Sequence, residues 1–226
     1  MRYFGMPRLL SAVLFVSLAG AGAMAQTAIG GQVTAFKDTS MLKPPAGSKV
    51  AIVEWEDLEC PACARAFPIV HQAAAQYKIP LVRHDFLIPG HIWSRDGAIY
   101  ARYIQDKISP DLATDYRRQV FASQFRIASK DDLKAFTASF LKSHGQQMPF
   151  ALDPAFEREV VADRDLGDKL GLNETPTIIV VTPKNWIQVR DVMDLYKAID
   201  QANAEAARMA PEPAKKPVAT HTTAHK

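Results

Sequence analysis

Two cysteines, Cys60 and Cys63, constrain the fold of this 226-residue chain more than any other feature. They are its only cysteines, and they come shortly after the apolar run Val50–Trp55. A run of this length is typical of a buried β-strand. Pro61 suits the first turn of a helix, where a missing N–H costs nothing. The pair is therefore predicted to lie where a strand passes into a helix.

This position predicts redox chemistry. The first turn of a helix has unpaired N–H groups and the positive end of the helix dipole. Both stabilise a thiolate on Cys60 and lower its pKa. We therefore predict that Cys60 is the more exposed, attacking nucleophile. Cys63, one turn further on and more buried, would resolve the mixed disulfide.

Two other interpretations of the pair are weaker. A structural disulfide across so short a ring would add little stability. A zinc site would need two more ligands, and His71, on the same helix, lies too far along it. The sequence shows no phosphate-binding glycine loop and no cluster of metal ligands, so no cofactor or metal is predicted.

The remaining sequence predicts a mixed α/β protein. A strand at Leu81–Leu87 would follow the cysteine helix, giving a β-α-β unit with parallel strands. The other expected elements are an edge strand near Val33–Phe36, helices at 94–106, 111–124, 130–144 and 153–170, strands at Thr177–Thr182 and Trp186–Arg190, and a helix at Val192–Met209. A mixed central sheet flanked by helices, with an inserted helical block, fits this order.

The two ends of the chain predict export and disorder. Residues 1–25 have a basic start, a short apolar run and the small residues Ala23 and Ala25, which indicates a signal peptide cleaved after Ala25. An uncleaved anchor is the alternative, but the run is short for a bilayer. Export would place the protein in the periplasm, where disulfides persist. Residues 211–226 are predicted to form a disordered tail. The net charge of +3 does not indicate a nucleic-acid partner.

Two segments resemble a known family. Residues 53–65, VEWEDLECPACAR, look like the active-site segment of DsbA-like thiol:disulfide oxidoreductases, which belong to the thioredoxin superfamily. Residues 167–177, GDKLGLNETPT, resemble the stretch that leads to the cis-proline loop of that family. The resemblance covers roughly residues 48–203. It implies a thioredoxin fold, formed by 26–90 plus 151–210, with an inserted helical domain over 91–150.

The resemblance also implies roles for individual residues. The Thr175–Pro176 bond would be cis, and the backbone of Thr175 would bind an extended substrate peptide. A proline that merely opens a strand is the alternative. Glu54 is a carboxylate inside an apolar run, which is costly without a partner or a task. The family places a buried acid there, so Glu54 is expected to move protons as a base toward Cys63, with a pKa raised by burial. An exposed glutamate on an edge strand is the alternative, and Arg83 is a possible charge partner.

Pro61 and Ala62, between the cysteines, are expected to tune the redox potential. The strong oxidases of the family carry histidine where this chain has Ala62, and valine where it has Thr175. We therefore predict a potential between those of thioredoxin, about −270 mV, and of DsbA, about −120 mV.

These features together predict an enzyme: a monomeric, extracytoplasmic thiol:disulfide oxidoreductase that oxidises or exchanges disulfides in exported proteins. A membrane protein would reoxidise or reduce it. The alternatives are a client-specific reductase and a non-catalytic, chaperone-like peptide-binding module. An isomerase is disfavoured because residues 26–48 are too short for a dimerisation domain.

Several polar residues are predicted to have structural roles. Tyr116, Arg117 and Arg118 are expected on a solvated helix face, as are Lys130–Asp132. His91 is expected to be a solvated or capping side chain, and a place near the rim of the active site is the alternative.

Overall fold

The computed structural model describes residues 26–29 and 36–208. The predicted signal peptide and tail lie outside the described residues. So does the strand predicted near Val33–Phe36, except for Phe36, whose ring packs 4.9 Å from that of Trp186.

Five strands form one mixed sheet in the order β1-β5-β4-β2-β3. Their bounds are β1 (Gln26–Ile29), β2 (Ala51–Glu56), β3 (Leu81–Asp85), β4 (Thr177–Val181) and β5 (Trp186–Val189). Strand β2 pairs parallel with β3 and antiparallel with β4. Strand β5 pairs antiparallel with β4 and parallel with β1. The predicted mixed sheet is confirmed, whereas β1 was not predicted.

Within the described residues, six α-helices pack around the sheet. They are α1 (Pro61–Tyr77), α2 (Ser94–Lys107), α3 (Pro110–Ser123), α4 (Lys130–Ser143), α5 (Pro154–Leu170) and α6 (Leu195–Arg208). Short 3₁₀ turns at Gln124–Arg126 and Val192–Asp194 follow α3 and precede α6. The side chains of Ser109, Ser129 and Asp153 accept N–H bonds at the starts of α3, α4 and α5, as N-capping residues do.

Strand β2 lies in the interior of the sheet and is buried along its whole length. Because successive side chains of a strand point to opposite faces, Val53 and Trp55 enter the core that includes Leu170 at the end of α5. Ile52 enters the other core, with Val70 of α1. Glu54 and Glu56 share the face of Ile52, so this strand carries two acids into the interior on the side of α1.

Candidate active site

Cys60 and Cys63 lie at the start of α1, as the sequence predicts. Cys60 is the N-cap residue, in an extended conformation, and Pro61 opens the helix. Both cysteines are free thiols. Cys60 is 8% exposed and Cys63 is fully buried. The sulfur that a client could reach is therefore that of Cys60.

The two thiols have opposite acidities. A hydrogen bond from Cys63 is the largest of the effects that lower the pKa of Cys60 to about 5. Thr175 and the backbone N–H groups at the start of α1 lower it further, against the opposing effect of burial. Burial, first, and the Cys60 sulfur raise the pKa of Cys63 well above its usual range. At neutral pH the reduced site therefore holds one thiolate, on Cys60.

The cis-proline loop lies directly against Cys60. The Thr175–Pro176 peptide bond is cis, as the resemblance implies. The carbonyl oxygen of Thr175 is 3.4 Å from Cys60 Sγ. These residues are 115 positions apart in sequence, and the sheet brings them together because β4 pairs with β2.

Asp57 holds the loop between β2 and α1. Its backbone N–H points to Cys63 Sγ at 3.5 Å. Its buried carboxylate accepts hydrogen bonds from the backbone N–H groups of Glu59 and Ile88, both at 2.8 Å. His91 Nδ1 lies 2.8 Å from the same carboxylate. His91 therefore lies beside the active-site loop, with Asp57 as its partner, which is the alternative to the expected solvated or capping role.

The helical block also contacts this loop. Gln124, in the turn after α3, donates hydrogen bonds to the carbonyl oxygens of Leu58 at 2.8 Å and Cys60 at 3.1 Å. In the other direction, Glu59 accepts the backbone N–H of Trp93 at 2.7 Å. The block thus helps to set the backbone position of the nucleophile.

Glu54 is completely buried, so the alternative of an exposed edge-strand glutamate is wrong. Neither of its carboxylate oxygens has a hydrogen-bond partner among the residues that the structure describes. Burial, first, and the charge of Glu56 raise the pKa of Glu54 to about 8. A carboxyl group in this state can exchange its proton near neutral pH.

Glu56 and Arg117 are the main residues that the sequence analysis missed. Arg117 is 2% exposed, not solvated as expected, and its Nη1 donates to Glu56 Oε1 at 2.9 Å. Arg83 Nε lies 3.4 Å from the same oxygen, so the charge partner of Arg83 is Glu56. The signal for Arg117 was its place on the apolar stripe of α3, four residues after Ala113 and three before Val120.

Tyr116 is also buried, and its hydroxyl pairs with that of Thr137 at 2.8 Å. Only Arg118 of this predicted solvated trio is exposed, where it pairs with Asp115. The expectation of a solvated face was therefore wrong for the first two residues.

A groove of about 420 Å³ adjoins the cis-proline loop. Its lining includes Ala62, Arg65, Thr175 and Pro176. Its rim also carries an ion pair at 2.6 Å between Arg190 and Glu174. An extended segment of a client could lie here beside Cys60.

Within 26–29 and 36–208, no group of three His, Cys, Asp or Glu side chains is arranged to hold a metal ion. His71 lies against the ring of Phe67 at 4.1 Å. Burial, followed by the charges of Arg83 and Arg117, lowers the pKa of His71 to about 4. It is therefore neutral at physiological pH.

Comparison with known proteins agrees with this geometry. A family model for thioredoxin matches residues 43–201. The chain belongs to the thioredoxin family. A search of curated proteins finds no match.

Several solved structures share this fold. The oxidoreductase NmDsbA1 of N. meningitidis is 17% identical, with a TM-score of 0.54 over 73% of this chain and 86% of that one. A mutant of Proteus mirabilis ScsC with a linker deletion is 18% identical, with a TM-score of 0.56 over 72% and 73%.

A periplasmic thioredoxin-like protein of Salmonella enterica is 15% identical, with a TM-score of 0.54 over 70% of this chain and 87% of that one. These likenesses confirm the predicted DsbA-like thioredoxin fold.

Proposed function

We propose that this protein is a thiol:disulfide oxidoreductase that exchanges disulfides with exported client proteins through Cys60 and Cys63. The observation that carries the proposal is the asymmetry of the pair. One accessible sulfur, with a pKa of about 5, lies against the cis-proline loop, and one buried sulfur, with a raised pKa, lies beneath it. A low-pKa thiolate is a good leaving group, which favours oxidation of a client.

The reaction proceeds through a mixed disulfide. A client thiolate attacks Cys60 Sγ of the oxidised protein, so that the Cys60–Cys63 bond breaks and Cys63 leaves as a thiolate. Cys63 then takes up a proton. A second client thiolate attacks the client sulfur and releases Cys60 as its thiolate. Two client thiols become a disulfide, and the protein gains two electrons; the steps reverse for client reduction.

Glu54 supplies the proton in this scheme. Its carboxyl group is protonated at neutral pH because its pKa is about 8. It can therefore donate a proton to the departing Cys63 sulfur. In the reverse direction Glu54 first loses its proton to solvent, and the carboxylate then accepts the Cys63 proton, which is the predicted role as a base.

The client binds as an extended segment beside Thr175. The groove next to Pro176 reaches Ala62, two residues from Cys60, and has a mixed polar and apolar lining. Backbone hydrogen bonds to Thr175 would align the client sulfur with Cys60, independently of client sequence. Pro61 and Ala62 adjoin this path and tune the nucleophile.

Residues 1–25 direct the protein to the periplasm, where a membrane protein resets its redox state. The signal-like N-terminal pattern supports this location, and the Salmonella neighbour is named as periplasmic. No helix within the described residues is long and apolar enough to span a membrane. N-terminal sequencing of the exported protein should begin at Gln26.

Insulin reduction tests the activity. With dithiothreitol as reductant, the wild type should precipitate insulin B chain faster than the buffer does, and Cys60→Ala should not. Cys63→Ala should accumulate the mixed disulfide, because the resolving thiol is absent. A wild-type rate no faster than that of Cys60→Ala would refute the enzyme and favour a non-catalytic binding module.

Thiol trapping in cells tests the direction of electron flow. Acid quenching followed by a maleimide mass tag separates the dithiol from the disulfide. A mainly oxidised Cys60–Cys63 pair supports client oxidation. A mainly reduced pair would instead identify the client-specific reductase.

A further inference from the structure

The buried ionisable groups beneath the active site include one more acid than there are arginines to pair with. Three arginines, Arg83, Arg102 and Arg117, face the acids Glu56, Asp85 and Asp163. These contacts join β2 and β3 to α2, α3 and α5. Glu54 is the additional acid, and no cation contacts it within the described part of the chain.

One oxygen of Glu56 has the contacts that a carboxylate needs, whereas its Oε2 has no hydrogen-bond partner within the described residues. Burial raises the pKa of Glu56 as well, and the charges of Arg83 and Arg117 oppose that effect. The Oε1 of Glu56 accepts a hydrogen bond from Arg117 at 2.9 Å and lies 3.4 Å from Arg83 Nε. Arg117 is held in turn by Asp85, through bonds of 2.8 and 3.1 Å. A buried, ionised Glu56 that lost these partners would be strongly destabilised.

Glu54 has the surroundings that a neutral carboxyl group needs. It lies two residues before Glu56 on the same face of β2, and both side chains are fully buried. Its neighbours across the sheet are Ile178 of β4 and Arg83 of β3. For two buried carboxyl groups that are two residues apart on one strand face, ionising both costs more free energy than ionising one.

We propose that Glu54 and Glu56 form one carboxyl pair that carries a single proton, and that Arg117 and Arg83 keep Glu56 ionised so that the proton stays on Glu54. Glu56 and Arg117 are then positioning residues. The use of this proton in catalysis rests on the proposed function, whereas its location on Glu54 is independent of that function.

The other titratable groups near the pair do not compete for this proton. His71 of α1 is neutral at physiological pH. The arginines keep Asp85 ionised, with a pKa of about 2. Cys63 keeps its own proton because burial, and then the Cys60 sulfur, raise its pKa, and the Glu56 charge adds to this effect. Of the acids and histidine around the pair, only Glu54 therefore has a pKa near neutral pH, at about 8.

Consider the reaction with this pair in place. When a client attacks Cys60, the Cys60–Cys63 bond breaks, and the thiolate formed on Cys63 takes the proton of Glu54. The pair then bears two negative charges beside Arg83 and Arg117. The two cations lower the cost of that state, and a proton from solvent restores the resting pair. An arginine of the helical block thus contributes to proton transfer at the sheet.

Carboxyl titration of the reduced protein tests the assignment without any client. In protein labelled with ¹³C at the glutamate carboxyls, the wild type should show one midpoint near pH 8, absent in Glu54→Gln. Glu56→Gln removes the neighbouring negative charge, so the midpoint should fall by about one pH unit or more, a tenfold change in proton affinity. Arg83→Gln removes a cation and should raise it.

Glu157→Gln is the matched control, since Glu157 is an exposed acid that also pairs with an arginine, Arg95. It should leave the midpoint unchanged. The proposal is overturned if Glu56→Gln does not lower the midpoint, if Glu54→Gln retains it, or if Glu157→Gln shifts it equally. Arg83→Gln is preferred to an Arg117 variant because Arg83 lies on the edge strand β3 and is partly exposed.

Insulin reduction separates this inference from the proposed function. If insulin is not reduced but the titration follows the expected pattern, the shared proton of Glu54 and Glu56 is supported and the proposed oxidoreductase activity is refuted. If insulin is reduced, the rate of mixed-disulfide resolution should depend on pH with the same shifted midpoints in Glu56→Gln and Arg83→Gln. A profile unchanged in both variants would overturn the catalytic part.

Discussion

At the scale of single residues, the acidity of Cys60 links the site to stability. The pKa of its thiol is about 5 in the folded protein, against an ordinary value of 9.0. A group with a depressed pKa stabilises the folded state fully above its unfolded value, and this stabilisation is lost as pH falls through the folded value. The oxidised protein lacks this thiol.

We therefore predict that the melting temperature of the reduced protein rises relative to that of the oxidised protein between pH 5 and pH 8. Calorimetry of both forms at each pH measures the difference, and thiolate absorbance at 240 nm gives the pKa directly. Reduced Cys60→Ser should lose the trend. A difference that is constant with pH would contradict a low-pKa Cys60.

Ala62 gives a second prediction at this scale. It is half-buried beside the groove and offers no side-chain donor to the nucleophile. Ala62→His adds a donor that stabilises the Cys60 thiolate, and hence the reduced form. The reduction potential should become more oxidising by about 30 mV, a tenfold change in the equilibrium constant of this two-electron couple. Equilibration with glutathione measures it.

Ala62→Leu controls for bulk without a donor and should move the potential much less. Equal shifts in the two variants would show that packing, rather than hydrogen bonding, sets the potential at this position. A wild-type potential as oxidising as about −120 mV would refute the sequence-based prediction itself.

At the scale of secondary-structure elements, the approach of α5 to the sheet depends on Gly167. A Cβ at this position would lie 2.4 Å from a ring carbon of Phe86 and 3.3 Å from Trp55. Gly167→Ala should therefore destabilise the fold by about 1–2 kcal/mol. Overpacking costs about 1–3 kcal/mol, which exceeds the free energy gained because alanine favours the helix more than glycine does. Urea unfolding measures the change.

Gly97→Ala, in α2, is the comparison. Its added Cβ would meet the tip of Leu58 at 3.3 Å, a side chain that can shift, so the cost should be smaller. A Gly167→Ala protein as stable as the wild type would contradict the close packing of α5.

The elements that sequence reasoning recovered are those with strong local signals. The apolar period placed α1 to α5 within one or two residues, and Pro61 fixed the start of α1. Strand β1 was missed because Gln26–Ile29 is four residues long and contains a single strongly β-forming apolar residue. Its pairing with β5 is a long-range contact with no local pattern.

The same limit applies to the site. Cys60, Cys63 and Thr175–Pro176 could be predicted because each belongs to a short motif. Arg117 could not, since its partners Glu56 and Asp85 are 61 and 32 residues away. The apolar stripe of α3 could have indicated that Arg117 is buried, but only the assembled fold shows that Glu56 and Asp85 are its partners.

At the scale of the whole molecule, the helical block and the sheet are joined by buried charge. Arg117 of α3 reaches Glu56 of β2 and Asp85 of β3, and Arg102 of α2 reaches Asp85 at 3.0 Å. Gln124 adds a neutral link to the carbonyl of Cys60. The position of the nucleophile therefore depends on how the block is seated.

Arg117→Ala tests how much this junction contributes. The change leaves Glu56 without its hydrogen bond and Asp85 with fewer cations, both in a buried site, so it should destabilise the protein by about 3–5 kcal/mol. Arg118→Ala is the matched control, because the neighbouring arginine is exposed and its pair with Asp115 contributes little; its change should stay within about 0.5 kcal/mol. Urea unfolding at pH 7 measures both. Equal, small effects would mean that apolar packing alone positions the helical block on the sheet. The buried arginine would then contribute only to the carboxyl pair beneath Cys63.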